Sequence, residues 1–342
     1  MKCPQCNNNQ KFKEGMVCGQ CKYPFALSPK EPPNLTDMAM ANSVAALTGP
    51  DELFFTYNQL YARLYRIKAK KDRSGRWGCG IILLIAMVVG GLFAAGVGAL
   101  VTAPIGVVLL WWMVKRPASV DHAALAGAIK KYQSAHPIGQ MVDGRRFEDA
   151  PEADFAGEFE GYAPERIVVV QRNDMADMLL LNRFHFDNKC LVVSQDRYPA
   201  SAFTACQQFL QSHPEIPVQV VHDASESGLK MKARLVADPQ WQLADRNVQD
   251  LGVYLHDAEK LKSPIWIPET GAAAAGSKQA QKSKSARDRI EAGYSMPVDS
   301  PPPKAMLGAM AMAAVAGMAL LSEDLLAEQQ RQGGWSESGG YG

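Results

Sequence analysis

Two pairs of closely spaced cysteines lie at the start of the chain. Cys3 and Cys6 form the first C-x2-C pair, Cys18 and Cys21 form the second, and eleven residues separate the two pairs. Structural zinc takes four ligands in a tetrahedron, and two tight turns that each present two thiolates supply them. Because the pattern shows no open coordination position, we predict that these four cysteines hold a structural Zn²⁺ ion.

Residues 1–26 resemble the zinc-ribbon module, whose pattern is met at all four cysteines. The resemblance implies a small fold organised by the metal, with Phe12, Tyr23 and Phe25 available to cover it. Zinc ribbons bind nucleic acid, bind protein or cap a neighbouring domain. Disulfide bonds are the alternative use of paired cysteines, but thiols stay reduced in the cytosol, where we expect this end of the chain.

Strand and helix patterns alternate along residues 162–270. Runs rich in β-branched and apolar residues at 166–170, 189–194 and 218–223 are typical of buried parallel strands, and a helical pattern follows each one. The alternation predicts a three-layer α/β domain with a mainly parallel sheet. A later strand is predicted at 253–255.

Acidic residues follow each of the three predicted strands. Sheets of this kind bind ligands at the carboxyl ends of their strands, where Asp174, Asp196 and Asp223 lie. Hard cations such as Mg²⁺ and Mn²⁺ prefer carboxylate ligands, so these acids are the candidate catalytic residues of a metal-dependent enzyme. Their alternative role is to cap helices and turns.

The segment 165–236 resembles a Toprim domain through the turn at 222–228, where Asp223 ends a strand and small residues and a glycine follow. The resemblance implies a divalent cation at the strand ends and a nucleic acid or phosphorylated substrate. The chain departs from the Toprim pattern at Gln171, where those enzymes have a glutamate, and at Ser225, where they have a second aspartate. The resemblance is therefore to a degenerate Toprim-like fold.

Residues 78–114 contain no charged side chain. One straight helix of that length would reach roughly 55 Å, whereas the hydrocarbon core of a bilayer is about 30 Å thick, so we predict a transmembrane hairpin of two helices. Seven basic residues from Arg63 to Arg76 precede the run, and Lys115 and Arg116 follow it. The positive-inside rule then predicts a multi-pass membrane protein with the ribbon and the α/β domain in the cytoplasm.

The remaining segments are predicted to be helices or linkers. Periodic apolar residues indicate an amphipathic helical segment at 35–77, and acidic composition indicates a helical and acidic linker at 117–161. Small polar residues and prolines indicate a flexible linker at 271–304. An Ala/Met-rich helix is predicted at 305–330, where small residues recur every fourth position as in helix-packing faces. The tail 331–342 is predicted to be disordered.

Two classes of function stay open at this point. A net charge of +1 over 342 residues argues against non-specific coating of nucleic acid. No complete catalytic set is apparent, so we favour a membrane-anchored interaction or scaffold protein whose partners are the lipid bilayer and a protein. Self-association through 305–321 and the hairpin is the related expectation. The alternative is a membrane-tethered enzyme acting on nucleic acid or a phosphorylated compound, which a convergent acidic cluster would favour.

Overall fold

The computed structural model divides the chain into two compact units, residues 1–41 with 63–136 and residues 42–62 with 137–342. Parts of both units lie outside the described residues. The structure describes residues 1–72, 74, 85, 120–148, 164–261, 264–269, 283, 285–317 and 320.

The first unit begins with the cysteine-bearing segment. Two antiparallel bridges join the residues on either side of each cysteine pair: Lys2 pairs with Asn9, and Val17 pairs with Pro24. A 3-10 turn at Phe12–Glu14 lies between them. Such short pairings bury little apolar surface, which is why a fold of this size depends on a metal or a similar cross-link.

Helices α1, α2 and α3 follow the ribbon along the chain. Helix α1 is Asp37–Thr48, helix α2 covers residues 57–72, and helix α3 is His122–Ala135. Helix α3 begins where the Asp121 carboxylate accepts a hydrogen bond of 3.0 Å from the Ala124 N–H, an N-cap that satisfies a backbone donor. Its buried residues recur at helical spacing: Leu125, Ala128, Ile129 and Tyr132.

A four-stranded parallel sheet forms the centre of the second unit. The strands are β1 (Arg166–Val170), β2 (Cys190–Ser194), β3 (Val218–Val221) and β4 (Val248–Asp250). Their order is β2-β1-β3-β4, and every pairing is parallel. Strands β1 and β2 are almost entirely buried, as their β-branched composition predicts. The predicted α/β domain with a parallel sheet is confirmed.

Helices connect the strands of this sheet. Between β1 and β2 lie α4 (Asn173–Leu181) and α5 (Phe184–Asp187), and between β2 and β3 lies α6 (Ala200–Ser212). Two short helices, α7 (Glu226–Leu229) and α8 (Met231–Ala237), follow β3. The sequence predicts one helix after the third strand, but the structure divides it into two at Lys230.

The strand predicted at 253–255 is wrong. The fourth strand is β4, and the next helix, α9, already begins at Leu255 and ends at Lys260. Val253 is fully buried in the loop between them, so its apolar character reflects packing and not sheet pairing. Strand β4 has only three residues and ends in Gln249 and Asp250, which gives a weak sequence signal.

The described residues near the C-terminus form regular elements. Strand β5 (Ile267–Pro268) pairs antiparallel with β6 (Tyr294–Ser295), and helix α10 (Ala286–Glu291) precedes β6. Both α10 and β6 fall in 271–304, the segment expected to be a flexible linker. Helix α11 (Pro303–Ala316) overlaps the Ala/Met-rich helix predicted at 305–330 and begins two residues before it.

The small-residue face of α11 packs inside its own unit. The side-chain Nε2 of Gln219 in β3 donates to the Ala314 carbonyl at 2.7 Å, which ties the helix to the sheet. Alanines let the helix approach closely, while methionines fill the irregular space. The residues of α11 that enter the core cluster of the α/β unit are Met306, Ala309, Met310 and Ala313.

The second unit also takes in residues 42–62, which precede the sheet by a long stretch of chain. Phe55 is fully buried, its N–H donates to the Gln140 carbonyl at 3.0 Å, and its carbonyl accepts from the Val142 N–H at 3.0 Å. Asn182 at the end of α4 exchanges two hydrogen bonds of 2.9 Å with the Phe54 backbone. The amphipathic segment predicted at 35–77 is therefore divided between the two units.

No helix among the described residues is long and apolar enough to span a bilayer. This finding corrects the predictions of a transmembrane hairpin at 78–114 and of a multi-pass membrane location. A run without charge is a property of composition, whereas a crossing needs a continuous apolar helix of about 20 residues, and the glycines and Pro104 of this run are poor helix formers. Apart from Ile85, the segment lies outside the described residues.

Replacing Ala313 with leucine tests the packing of α11. Ala313 is fully buried and Val315 is 78% exposed on the same helix. We expect Ala313→Leu to lower the free energy of unfolding by about 1–3 kcal/mol, because the added methylenes must enter a filled core. Val315→Leu, the matched control, should change it by less than about 0.5 kcal/mol in urea titrations. Equal effects of the two substitutions would contradict this packing.

Candidate metal centre and strand-end ion cluster

The four N-terminal cysteines converge in the structure. The Sγ atoms of Cys3 and Cys21 lie 3.5 Å apart, those of Cys6 and Cys18 lie 3.6 Å apart, and all four lie within 4.8 Å of one another. Four thiolates at about 2.3 Å from a tetrahedral zinc ion would be separated by about 3.8 Å. The four side chains are free thiols and not disulfides. Their arrangement fits a zinc-ribbon-like metal site.

The four cysteines are the single group of possible metal ligands in the part of the chain that the structure describes. Within it, no other group of three or more His, Cys, Asp or Glu side chains brings its ligand atoms close enough to share an ion. The predicted metal ligands are therefore the ones that the fold brings together.

The two cysteine turns have the same backbone conformation. The residue after each pair, Asn7 and Lys22, has a left-handed φ of 61° and 63°. The Asn7 N–H donates to the Cys3 carbonyl and the Lys22 N–H to the Cys18 carbonyl, both at 3.0 Å. A left-handed conformation costs a side chain such as lysine roughly 1–2 kcal/mol. The turn is thus held in place by the rest of the ribbon.

Gln10 connects the segments between the two turns. Its side-chain Nε2 donates to the carbonyls of Gly15 at 3.1 Å and Val17 at 3.0 Å, and its Oε1 accepts from the Gly19 N–H at 3.0 Å. Buried amides of this kind fix a loop because each unmade hydrogen bond would cost about 1–3 kcal/mol. The sequence offered no pattern for this role, since a single glutamine between cysteines has no characteristic spacing.

The protein environment separates the thiols by acidity. Hydrogen bonds from the backbone of Cys21 and Gln20 help to lower the pKa of the Cys18 thiol to about 6. Loss of solvation raises the pKa of the Cys21 thiol to about 12. Since metals bind thiolates, Cys18 is the ligand that is ready near neutral pH, and the metal itself would have to stabilise the Cys21 thiolate.

A buried aspartate attaches the ribbon to the helices of the first unit. The Asp37 carboxylate in the first turn of α1 accepts hydrogen bonds from the N–H groups of Ala26 and Leu27, both at 2.8 Å, and from the Tyr23 hydroxyl at 3.1 Å. The Tyr23 ring also stacks on His136, with 4.5 Å between the ring centroids. The ribbon is therefore joined to the first turn of α1 by hydrogen bonds and to the residue after α3 by ring stacking.

A second cluster lies at the carboxyl ends of the central strands. Arg172, just after β1, contacts three carboxylates: its Nε lies 3.0 Å from Asp174, its Nη1 pairs with Asp223, and its Nη2 lies 2.6 Å from Asp299. Asp299 is fully buried and Asp223 nearly so. Two of the three predicted acids thus converge, but they converge on an arginine.

The third predicted acid lies apart from this cluster. Asp196 is exposed in the turn after β2, where its backbone N–H donates to the Ser194 hydroxyl at 3.1 Å. Arg172 and Asp299 were not predicted. Arg172 sits beside a predicted acid and could have been noticed, whereas Asp299 comes from a distant segment that only folding brings to the strand ends.

Other segments complete the shell of the cluster. The Thr56 hydroxyl donates to Asp299 at 2.5 Å, and the Val298 N–H donates to Asp223 at 2.8 Å. With its amide oxygen turned toward the guanidinium, Asn58 accepts from the two terminal nitrogens of Arg172 at 3.1 and 3.2 Å. Every N–H-bearing nitrogen of Arg172 thus faces an acceptor.

Charge is unbalanced within the cluster, since three carboxylates share one guanidinium. Burial, together with the repulsion from Asp299, raises the pKa of Asp174 and of Asp223 above the usual range, although Arg172 opposes the shift. The neighbouring carboxylates hold the pKa of Arg172 above its ordinary value despite its burial. The arginine is therefore the fixed charge on which the acids depend.

The positions that depart from the Toprim pattern bond to each other. The Gln171 side chain accepts from the Asp223 N–H at 2.8 Å and donates to the hydroxyls of Ser225 at 3.3 Å and Ser227 at 2.9 Å. A Cβ at Gly228 would lie 2.2 Å from the Asp223 carbonyl oxygen, so this position requires glycine. The turn is built by close packing and amide hydrogen bonds.

Comparison with protein-family models, with curated proteins and with solved structures finds no match for this chain. The Toprim resemblance therefore gains no support from relatives. The interpretation of both clusters depends on their own geometry.

Zinc content tests the metal centre. We expect purified chain to hold about one zinc per molecule, because four thiolates at tetrahedral spacing complete its coordination. Cys18→Ser should lower the zinc content to less than half in elemental analysis. Cys190→Ala, which changes a buried cysteine in β2, is the control and should keep the metal. Full zinc content in Cys18→Ser would contradict the assignment.

Replacing Arg172 with methionine tests the second cluster. Uncompensated carboxylates should then lower the free energy of unfolding by about 3 kcal/mol at pH 8, as for other broken buried ion pairs. The loss should be smaller at pH 5, since protonated acids need no counter-ion. Arg197→Met removes an exposed pair with Asp238 and should cost less than about 1 kcal/mol at either pH. A small, pH-independent effect of Arg172→Met would refute the role given to this arginine.

Proposed function

We propose that this chain is a binding or scaffold protein, in which a structural zinc ion organises the N-terminal ribbon and the α/β unit serves as a recognition domain. One observation carries the proposal: Arg172 engages all three carboxylates that converge at the strand ends. The place where an α/β enzyme would hold its cation is filled by a side chain of the protein.

The arginine competes directly with a divalent ion. Mg²⁺ needs oxygen ligands in near-ideal octahedral geometry and gives up its water reluctantly. The carboxylate oxygens of Asp223 are already bonded to Arg172 and to the Val298 N–H. Binding a metal there would release a guanidinium whose side chain is only 25% exposed. The free-energy cost of leaving that charge unpaired favours the cluster in which Arg172 stays bonded to the carboxylates.

The ribbon supports a structural and not a catalytic metal. Catalytic zinc sites keep one coordination position for water or substrate, whereas four thiolates leave none. Zinc would supply cross-linking here by joining the two cysteine turns. The small-residue face of α11 is buried within its own unit, so we do not assign partner binding to that face.

A metal-dependent enzyme is the second candidate, and a specific observation favours it. Asp174, Asp223 and Asp299 all contact Arg172 at the carboxyl ends of the strands, where α/β enzymes bind their ligands, although their oxygens are not close enough to share an ion in this arrangement. For the cluster to act in this way, Arg172 would have to withdraw when the ion or the substrate binds.

Calorimetric titration of Mg²⁺ and Mn²⁺ into the zinc-loaded full chain separates the two candidates. We expect no saturable binding to the wild-type chain, and weak binding to Arg172→Met, whose acids have lost their counter-ion. Saturable binding to the wild-type chain that Asp223→Ala abolishes would overturn the proposal and make the enzyme the leading candidate. Asp196→Ala, an exposed acid outside the cluster, is the matched control.

A further inference from the structure

His222 lies at the end of β3 with both ring nitrogens facing hydrogen-bond acceptors. Its side chain is 1% exposed. Its Nδ1 lies 2.9 Å from the Asp223 carbonyl oxygen, and its Nε2 lies 3.1 Å from Oδ1 of Asp250. A neutral imidazole carries a single N–H and can satisfy one of these acceptors, whereas the imidazolium satisfies both. The geometry therefore calls for the doubly protonated ring.

The ring has no room to turn away from these acceptors. A Cβ at Gly252 would lie 2.4 Å from the Cδ2 and Nε2 atoms of His222, so the glycine backbone is packed against the ring. The Val253 N–H donates to the His222 carbonyl at 3.0 Å, which holds the loop after β4 in place. A deprotonated ring would leave a lone pair facing an oxygen.

The charged and titratable groups around His222 come from several elements. Burial acts to lower the pKa of His222, but the hydrogen bond and charge of Asp250, together with Asp223, outweigh it and raise the pKa above the ordinary value of 6.5. The pKa of Asp250 is lowered by its bond to His222, and Lys232 of α8 acts in the same direction. Tyr254 meets the His222 ring edge-on, 6.3 Å between centroids. The Asp223 carboxylate itself is held by Arg172.

The end of β4 is in turn connected to the C-terminal helix. Gln219 of β3 donates both to the Gln249 side chain at 2.9 Å and to the Ala314 carbonyl of α11. The Leu320 N–H donates to the Leu251 carbonyl at 3.0 Å. Loss of the His222 proton would therefore affect α11 through the hydrogen bonds that join it to β3 and to the end of β4.

We propose that His222 is a buried cationic latch that holds the end of β4 on β3, and that its deprotonation loosens β4 together with α11. The device is distinct from the function proposed above and from the zinc site. Because the proton is bound more tightly in the folded chain, the stabilisation is complete below about pH 6.5 and is lost as the pH rises through the folded value.

Nitrogen-15 NMR of histidine-labelled, zinc-loaded chain measures the protonation of both His222 nitrogens directly. We expect His222 to titrate above 6.5 and Asp250→Asn to lower that midpoint by about one unit or more. Between about pH 6.5 and the wild-type midpoint, amide exchange in β4 and α11, corrected for the intrinsic pH dependence, should accelerate by up to about tenfold per unit of pH, and it should level off above the midpoint. Exchange in β1 should not follow the midpoint.

A matched control and two contrary outcomes complete the test. His213 is exposed at the end of α6, so His213→Gln should leave the exchange profile of β4 unchanged. A wild-type His222 midpoint at or below 6.5 would overturn the proposal. So would protection of β4 and α11 that is the same on both sides of the midpoint. The His222 midpoint and the protection of β4 and α11 are both measured on the wild-type chain, so failure of a variant to fold does not affect them.

Discussion

The contact between Arg172 and its three carboxylates is the constraint on which the α/β unit depends. A charged group that leaves water loses several kcal/mol of solvation, which is recovered only if it is paired with good geometry. Arg172 meets that condition with acids from three segments: Asp174 in α4, Asp223 after β3 and Asp299 after β6. Those segments cannot separate without leaving buried charge unpaired.

This constraint explains why the unit is not continuous in the chain. Thr56 contributes a hydrogen bond to Asp299 from well before the sheet, and Asp299 itself lies in the segment 271–304, whose composition predicts a linker. The bridge between Ala224 and Met296 brings that segment to the carboxyl end of β3. A fragment limited to 162–270 would lack both Thr56 and Asp299, and it would leave Arg172 with fewer partners than in the whole unit.

The same strand ends hold two buried polar networks. In most open α/β sheets this edge is left for a ligand, but here it is occupied by an internal ion cluster and, beside it, by the pair of His222 with Asp250. Both are polar networks in which every member depends on its partner's charge state. Such networks specify one arrangement of the chain, because any alternative leaves charges or donors unsatisfied.

The sequence by itself determined what depends on neighbours along the chain. The four cysteines of the zinc-ribbon-like cluster lie on two local turns, so their spacing predicted that they converge. The buried strands β1, β2 and β3 follow from short runs of β-branched and apolar residues. Strand β4 was missed because an element of three residues carries little periodic signal, and the break at Lys230 was missed because the four residues of α7 are too few to show a separate helical period.

Tertiary structure alone decided the chemistry of the strand ends. Asp174 and Asp223 were identifiable as candidates, but only folding places Arg172 and Asp299 among them and leaves Asp196 outside. Pairing between distant residues is set by the packing of the whole unit, and no local pattern in the chain records it.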